Sequence, residues 1–160
     1  MSQLAAGAAA RAPLPAPHDP NRVGHDWLAT LAEVPLFHDL PKRHLRGIAK
    51  LARIRRFAPG STMVRTGDPG RSFYVLLDGK AKVIRVDGKS RRLGVGDYFG
   101  EISVIDGRPR SASVEAIENL STLAIAPAVV NGLIEDNPAF ARRLLVLLCA
   151  RLREAERRSN

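Results

Sequence analysis

Cysteine is nearly absent from this 160-residue chain. Cys149 is the only one, so no disulfide framework can form within it, and a reducing, cytoplasmic setting is the expectation. Aromatic residues are scarce at 5%, which predicts a core built from Leu, Val, Ile and Ala. Long apolar runs are missing as well. The longest, "LLVLLCA", has seven residues against the roughly 20 that a membrane helix needs, so no membrane partner is expected. The N-terminus "MSQLAAGAAARAPLPAP" has neither a basic n-region nor a strongly apolar h-region, which argues against a signal peptide. Its Ala and Pro content reads as a disordered tail over residues 1–22.

Histidine is confined to His18, His25, His38 and His44, all ahead of the first strand-like segment. With none in the β-rich part and a single cysteine, an oxygenase or zinc site lacks its ligands. His38 and His44 read as surface residues of a helical segment. No serine sits in a G-x-S-x-G elbow, and there is no G-x-x-x-x-G-K-[ST] loop. Cys149 has no histidine placed near it and reads as a buried structural thiol. Catalysis is not expected, and no cofactor is implied.

What the chain has in excess is positive charge. Its formal net charge of +9 favours anionic partners: nucleic acid, lipid or a small phosphate compound. The basic residues come in short clusters, "RIRR" at 53–56, "KSRR" at 89–92, "RRL" at 142–144 and "RLREAERR" at 151–158. Each reads as a solvated strand or helix face. No aromatic residues interleave with them, which argues against a surface for stacking single-stranded nucleic acid.

Punctuation by Pro and Gly divides the rest. Helical spacing runs from Asp26 to Ala52, broken at Pro35, with Leu45, Ile48, Leu51 and Ala52 on one face of the second segment. Pro41 suits a helix start. After Arg53 come short β-rich segments, "RIRRFA", "STMVRTG", "SFYVLLDG", "KAKVIRVDG" and "KSRRLGVGD", then "RSASVEAI" and "NLSTLAIA". Asp78-Gly79 and Asp87-Gly88 read as two tight hairpin turns. About eight strands at this spacing suit a small barrel or jelly roll. Pro127 and Pro138 each open a helix, and in the last Phe140, Leu144, Leu148 and Leu152 recur every four residues with Leu145 and Leu147 beside them. That stripe is wider than docking on one surface requires. The expected architecture is α+β: an eight-stranded, jelly-roll-like β-roll over 53–126, with N-terminal helices in 23–52 and C-terminal hinge and lid helices in 127–160. Residues 23–160 are read as a single domain.

One stretch carries chemistry: "FGEISVIDGRPRSA", residues 99–112. Gly100 allows a close backbone approach to a ligand. "EISVI" then makes a short helix whose first N–H groups lack intrahelical partners and can face an anion. Asp106-Gly107 ends it, and Pro109 stiffens the approach to Arg110, whose guanidinium suits phosphate oxygens. Glu101 would repel a phosphate but can accept from a ribose hydroxyl. Two readings remain open on these residues: a pocket for a ribose phosphate, or a helix-opening glutamate beside an ordinary surface arginine.

The stretch resembles the phosphate-binding cassette of the cyclic nucleotide-binding domain family, with its G-E-[LI]-[AS] start and P-R-[AST]-A end. The likeness runs from about Pro35 to the last helix and includes "VPLFHDLPKRHLRGIA", "FYVLLDGKAKV" and "GVGDYFGE". The step from Glu101 to Arg110 equals that of the cyclic-AMP-dependent kinase regulatory subunits. The resemblance implies that Arg110 binds the exocyclic phosphate oxygens, helped by the backbone N–H and hydroxyl of Ser111. It implies that Glu101 accepts from the ribose 2′-OH, and that the N–H groups of Gly100 and Ile102 complete the pocket. Ser103 is expected to pack rather than to touch ligand. The base would lie on β-roll apolar side chains, with Val83 as a candidate, under the final helix. The ligand implied is cyclic AMP, with cyclic GMP as the alternative; Ser111 matches the bacterial cyclic AMP receptors.

Nothing in the sequence resembles a helix-turn-helix, a channel segment or a kinase domain. The resulting expectation is a stand-alone cyclic nucleotide sensor acting on an unknown protein effector or by self-association through the C-terminal helix. The alternatives are a basic, nucleic-acid-associated transcriptional regulator without a dedicated DNA-binding motif, and a ligand-free interaction domain.

Overall fold

The computed structural model describes residues 28–29 and 31–159. The tail expected over 1–22, His18, His25 and the helix start at Asp26 lie outside the described residues. A helical stretch through residue 33 leads into a 3-10 turn at Pro35–Phe37, followed by α1 (Lys42–Leu51). Eight strands come next: β1 (Arg53–Phe57), β2 (Thr62–Val64), β3 (Phe73–Asp78), β4 (Ala81–Arg85), β5 (Ser90–Leu93), β6 (Tyr98–Phe99), β7 (Ala112–Ala116) and β8 (Leu120–Ile125). The short helix α2 (Glu101–Asp106) interrupts them, and α3 (Pro127–Asp136) and α4 (Pro138–Ser159) close the chain. Each of the seven β-rich segments read from the sequence holds a strand. The eighth is the two-residue β6, too short to leave a pattern.

The strands form two antiparallel four-stranded sheets, ordered β1-β8-β3-β6 and β2-β7-β4-β5. β3 explains why they stack. Its residues are buried on both faces, and alternation sends Phe73, Val75 and Leu77 to the helices, Tyr74 and Leu76 to the other sheet. Only one of the two Asp-Gly turns is a hairpin. Asp87-Gly88 joins the paired strands β4 and β5, with the Arg85 N–H donating to Lys89 O at 2.9 Å. Asp78-Gly79 instead carries the chain from one sheet to the other, since β3 and β4 do not pair. Gly79 has φ +90°, and a Cβ there would lie 2.5 Å from the Asn119 carbonyl oxygen. Side-chain absence lets the sheet corner close.

The core is less aliphatic than composition implies. Six of the eight aromatic residues (Phe37, Phe73, Tyr74, Tyr98, Phe99 and Phe140) are buried. Phe37 stacks on Phe140 at 6.0 Å between centroids and meets Phe73 edge-on at 6.2 Å, tying the N-terminal turn, β3 and α4 together. Arg143 adds a second tie, bonding the Pro35 carbonyl and pairing with Asp39 at 2.7 Å.

α4 buries Phe140 and Leu144 and half-buries Leu147 and Leu148, while Leu145, Val146 and Leu152 are exposed. Cys149 is also exposed, contrary to the expected buried thiol. Five residues beyond Leu144 it falls about 140° around the helix, away from the core. His38 is exposed as expected, whereas His44 is partly buried with its Nδ1 unpartnered among the described residues. Among the described residues, no helix is long and apolar enough to cross a membrane, and no group of three His, Cys, Asp or Glu is placed to hold a metal ion.

Gly79→Ala is expected to destabilise by about 3 kcal/mol, combining left-handed backbone strain with overpacking against the 119–120 backbone. Gly88→Ala, also at positive φ but in open space, should cost about 1 kcal/mol. Urea unfolding of the two variants side by side measures the difference.

Candidate ligand-binding site

α2 is the centre of the site, and its caps are written in the sequence. Gly100 precedes it at φ +93°, and Gly107 ends it at φ +70°, donating to Ser103 O at 3.0 Å. The Val104 N–H closes the first helical bond on Gly100 O, so the N–H groups of residues 101–103 precede the ladder. Asn131 of α3 donates to Val104 O at 3.4 Å, linking the C-terminal helices to α2. Ser103 is buried with its Cβ 2.2 Å from where a Cβ on Gly70 would be, so packing fixes its size.

The chain then extends through Pro109 to Arg110, which is 5% exposed. Its backbone is clamped by the 67–68 turn, donating to Asp68 O at 2.8 Å and accepting from Gly67 N–H at 2.9 Å. Its side chain donates through Nη1 to Gly100 O at 3.2 Å and through Nη2 to Ser72 O at 2.6 Å. The guanidinium carbon lies 6.0 Å from the centre of the Tyr74 ring, which itself stacks on Phe99 at 4.9 Å. Nε is buried without a partner among the described residues. Burial lowers the Arg110 pKa, opposed by Tyr74, Glu101 and Asp68. Carbonyl dipoles, not a carboxylate, hold this cation.

These contacts revise the role of Gly100. A Cβ there would stand 2.6 Å from Arg110 Nη1 and 2.8 Å from Ser72 O. The glycine makes room first for the arginine, and only through it for anything the arginine holds.

Glu101, 3% exposed, faces Arg151 of α4. Arg151 Nη1 donates to Glu101 Oε1, Nη2 donates to Tyr98 O at 3.1 Å, and the guanidinium sits 4.4 Å from the Tyr98 ring centre. Burial raises the Tyr98 pKa, partly offset by the Arg151 charge. One oxygen of Glu101 is thus engaged and Oε2 is left to accept.

A cavity of about 750 Å³ opens along these groups. All six residues named from the sequence line it: Gly100, Glu101, Ile102, Arg110, Ser111 and Val83. Its walls carry six cations (Arg85, Lys89, Arg91, Arg110, Arg151 and Arg158) against three carboxylates (Asp87, Glu101 and Glu154), a balance that suits an anionic ligand. α4 contributes Leu148 and Leu152 as well as Arg151. Arg91 and Arg151 were hidden in clusters that read as solvated faces. The signal was present in their spacing: Arg91 is two before the buried Leu93, and Arg151 is seven after the buried Leu144.

Replacing Arg151 by Ala leaves a buried carboxylate short of a donor, which should cost about 1–3 kcal/mol of stability. Hydrogen exchange should also speed up in α4 beyond Leu148. Urea unfolding and amide exchange of Arg151→Ala check both.

Comparison with known proteins places this geometry. A family profile described as the cyclic nucleotide-binding domain matches residues 54–137. The chain is 35% identical over 127 residues to the cyclic AMP receptor protein of Thermus thermophilus, covering 76% of this chain and 59% of that one. It is 32% identical over 115 residues to a cAMP-dependent protein kinase regulatory subunit of Colletotrichum orbiculare, covering 71% and 29%. The crystal structure of the Thermus thermophilus catabolite activator protein superposes with a TM-score of 0.67 at 35% identity, over 76% of this chain and 60% of that one. The regulatory domain of Toxoplasma gondii PKA with cAMP, at TM-score 0.70 and 20% identity, shares the fold over 82% of this chain and 51% of its own. The chain therefore spans under two thirds of the length of these curated relatives. By sequence and fold alike, the chain belongs to the cyclic nucleotide-binding domain family, whose members are regulatory sensors built on a β-roll.

Proposed function

We propose that the chain binds a 3′,5′-cyclic nucleotide in the cavity beside α2, with cyclic AMP the ligand named for its relatives, and signals through α4. The observation that carries the reading is Arg110. A guanidinium buried among carbonyls, with Nε unpartnered, stands at the end of a cavity whose walls are net positive. Its held orientation suits two oxygens of one phosphate. Ser111 and the backbone N–H groups of Gly100 and Ile102 supply further donors. Glu101 accepts the ribose 2′-OH on Oε2 while Oε1 keeps Arg151, and the base lies against Val83. The same carboxylate then touches both ligand and α4, which gives ligand binding a direct mechanical route to the helix.

α4 offers the output surface. Leu145, Val146, Cys149 and Leu152 are exposed on it, an apolar strip that suits an effector protein or a second copy of the chain.

Calorimetric titration with cyclic AMP is the primary test. Arg110→Ala removes one side of a buried charged contact, worth about 2–5 kcal/mol or roughly 30- to 4,000-fold in affinity. An affinity within about threefold of the parent chain would overturn the assignment. Ligand should also slow amide exchange across residues 140–155 together with the cassette. Protection confined to residues 99–112 would make α4 a static scaffold.

A further inference from the structure

The positive charge of the chain is not spread evenly. Between Asp39 and Asp68 stand eight of its 25 Lys and Arg, while all 16 acidic residues lie outside that stretch. This segment carries nearly all of the net charge of +9, and the rest of the chain is close to neutral. Seven of the eight fall on two adjoining elements, α1 and β1, with only Ala52 between them. Lys42, Arg46 and Lys50 follow at four-residue steps on α1 with Arg43 beside them, and all four are exposed. Leu45, Ile48 and Ala49 turn the other side of the helix to the core. β1 is the outermost strand of its sheet, and Arg53, Arg55 and Arg56 are all exposed on it.

This arrangement works against the helix that carries it. Like charges four residues apart destabilise a helix, and cations in its first turn oppose the helix dipole. α1 has both, with no acidic residue in its first turn to offset them. Elsewhere cations are answered in place: Arg85 by Asp87, Arg143 by Asp39 and Arg158 by Glu154. Among the described residues, none of the seven makes a side-chain hydrogen bond or an ion pair. Arg55 alone lies over a ring, 6.0 Å from the centre of Phe57. Charge on an edge strand guards against strand addition, but either sign serves that end. A run of one sign calls for a counter-charge from outside.

We propose that the α1–β1 face docks the phosphate backbone of double-stranded DNA. None of the seven cations lines the cavity, so the inference stands apart from the ligand proposed there. Among the described residues from 40 to 67, Leu51 is the only large apolar one exposed, too little for the apolar centre of a protein interface. The apolar side of α1 is committed to the core, which leaves none to enter a lipid surface. No aromatic ring is exposed among the described residues, so single-stranded bases find nothing to stack on. What remains is charge alone, the means by which a duplex backbone is held whatever its sequence.

The test follows binding of a fluorescent, random-sequence DNA duplex by anisotropy over a series of salt concentrations, with thermal unfolding confirming that each variant is folded. For the parent chain, log affinity should fall against log salt with a slope of about −3 to −6. Arg53→Gln/Arg55→Gln/Arg56→Gln and, separately, Lys42→Gln/Arg46→Gln/Lys50→Gln should each flatten that slope by about 2 to 3. A control, Arg142→Gln/Arg153→Gln/Arg157→Gln, removes the same net charge from exposed positions of α4. It should flatten the slope by less than about 1. Absence of duplex binding by the parent chain, or equal effects of the control and the face variants, would overturn the proposal. So would tighter binding to the single strand, to polyglutamate or to phosphatidylserine vesicles than to the duplex. Should the strand variant fail to fold, the helix variant decides the matter against the same control.

Discussion

The burial of the Arg110 guanidinium is the constraint around which the site is arranged. A cation 95% removed from water needs acceptors, and no carboxylate bonds it. The acceptors are the carbonyls of Gly100 and Ser72, one opening α2 and the other opening β3. Three segments distant in sequence are therefore fixed to one planar group. Gly100 must be glycine because a Cβ would stand where that group and the Ser72 carbonyl meet. Tyr74 and Phe99 stack beneath it and bring the two sheets into the same arrangement. Neutral dipoles hold the charge without cancelling it, so the cation keeps its pull on an external anion.

Glu101 extends that logic to the C-terminal helix. It is as buried as Arg110 and faces the opposite problem, a carboxylate that needs donors. The donor comes from α4, far along the chain, through Arg151. Arg151 is itself seated on the Tyr98 ring and carbonyl, beside the strand that leads into Gly100. The two buried charges at either end of the cassette thus answer to different parts of the molecule. Arg110 answers to the β-roll, Glu101 to the helix. A ligand that touches both cassette charges acts on roll and helix together, which is what a sensor of this shape requires.

Much of this was legible in the residues. Pro and Gly marked the strand and helix limits closely: Pro127 and Pro138 each open a helix, and seven β-rich segments each hold a strand. The six site residues named from the cassette and its flank come to one cavity. What escaped was set by tertiary pairing. Asp78-Gly79 and Asp87-Gly88 are alike in sequence, yet one turns a hairpin and the other crosses between sheets, because strand partners are chosen elsewhere in the chain. Cys149 sat in an apolar run, but an apolar run longer than one helical face must put some of its members outside. The scarce aromatics were taken as a minor component and instead link the N-terminal turn, β3 and α4.

The charge clusters show the same limit from the other side. "KSRR" and "RLREAERR" were read as units, and a unit of like charges belongs in water. Structure resolves them residue by residue. Arg92 and Arg153 are exposed, while Arg91 and Arg151, their near neighbours, face the cavity. Period settles which is which: in β5 every second residue points inward, and in α4 a residue seven on from Leu144 returns to the face Leu144 occupies. "KSRR" and "RLREAERR" thus commit part of their charge to the interior, whereas the three arginines of "RIRR" in β1 all stay exposed. Here that part lines a cavity already rich in cations, where the remaining acceptors must come from whatever enters it. Part of the excess charge of the chain, which composition alone could assign only to an anionic partner of any size, thereby lines one cavity, six cations against three carboxylates.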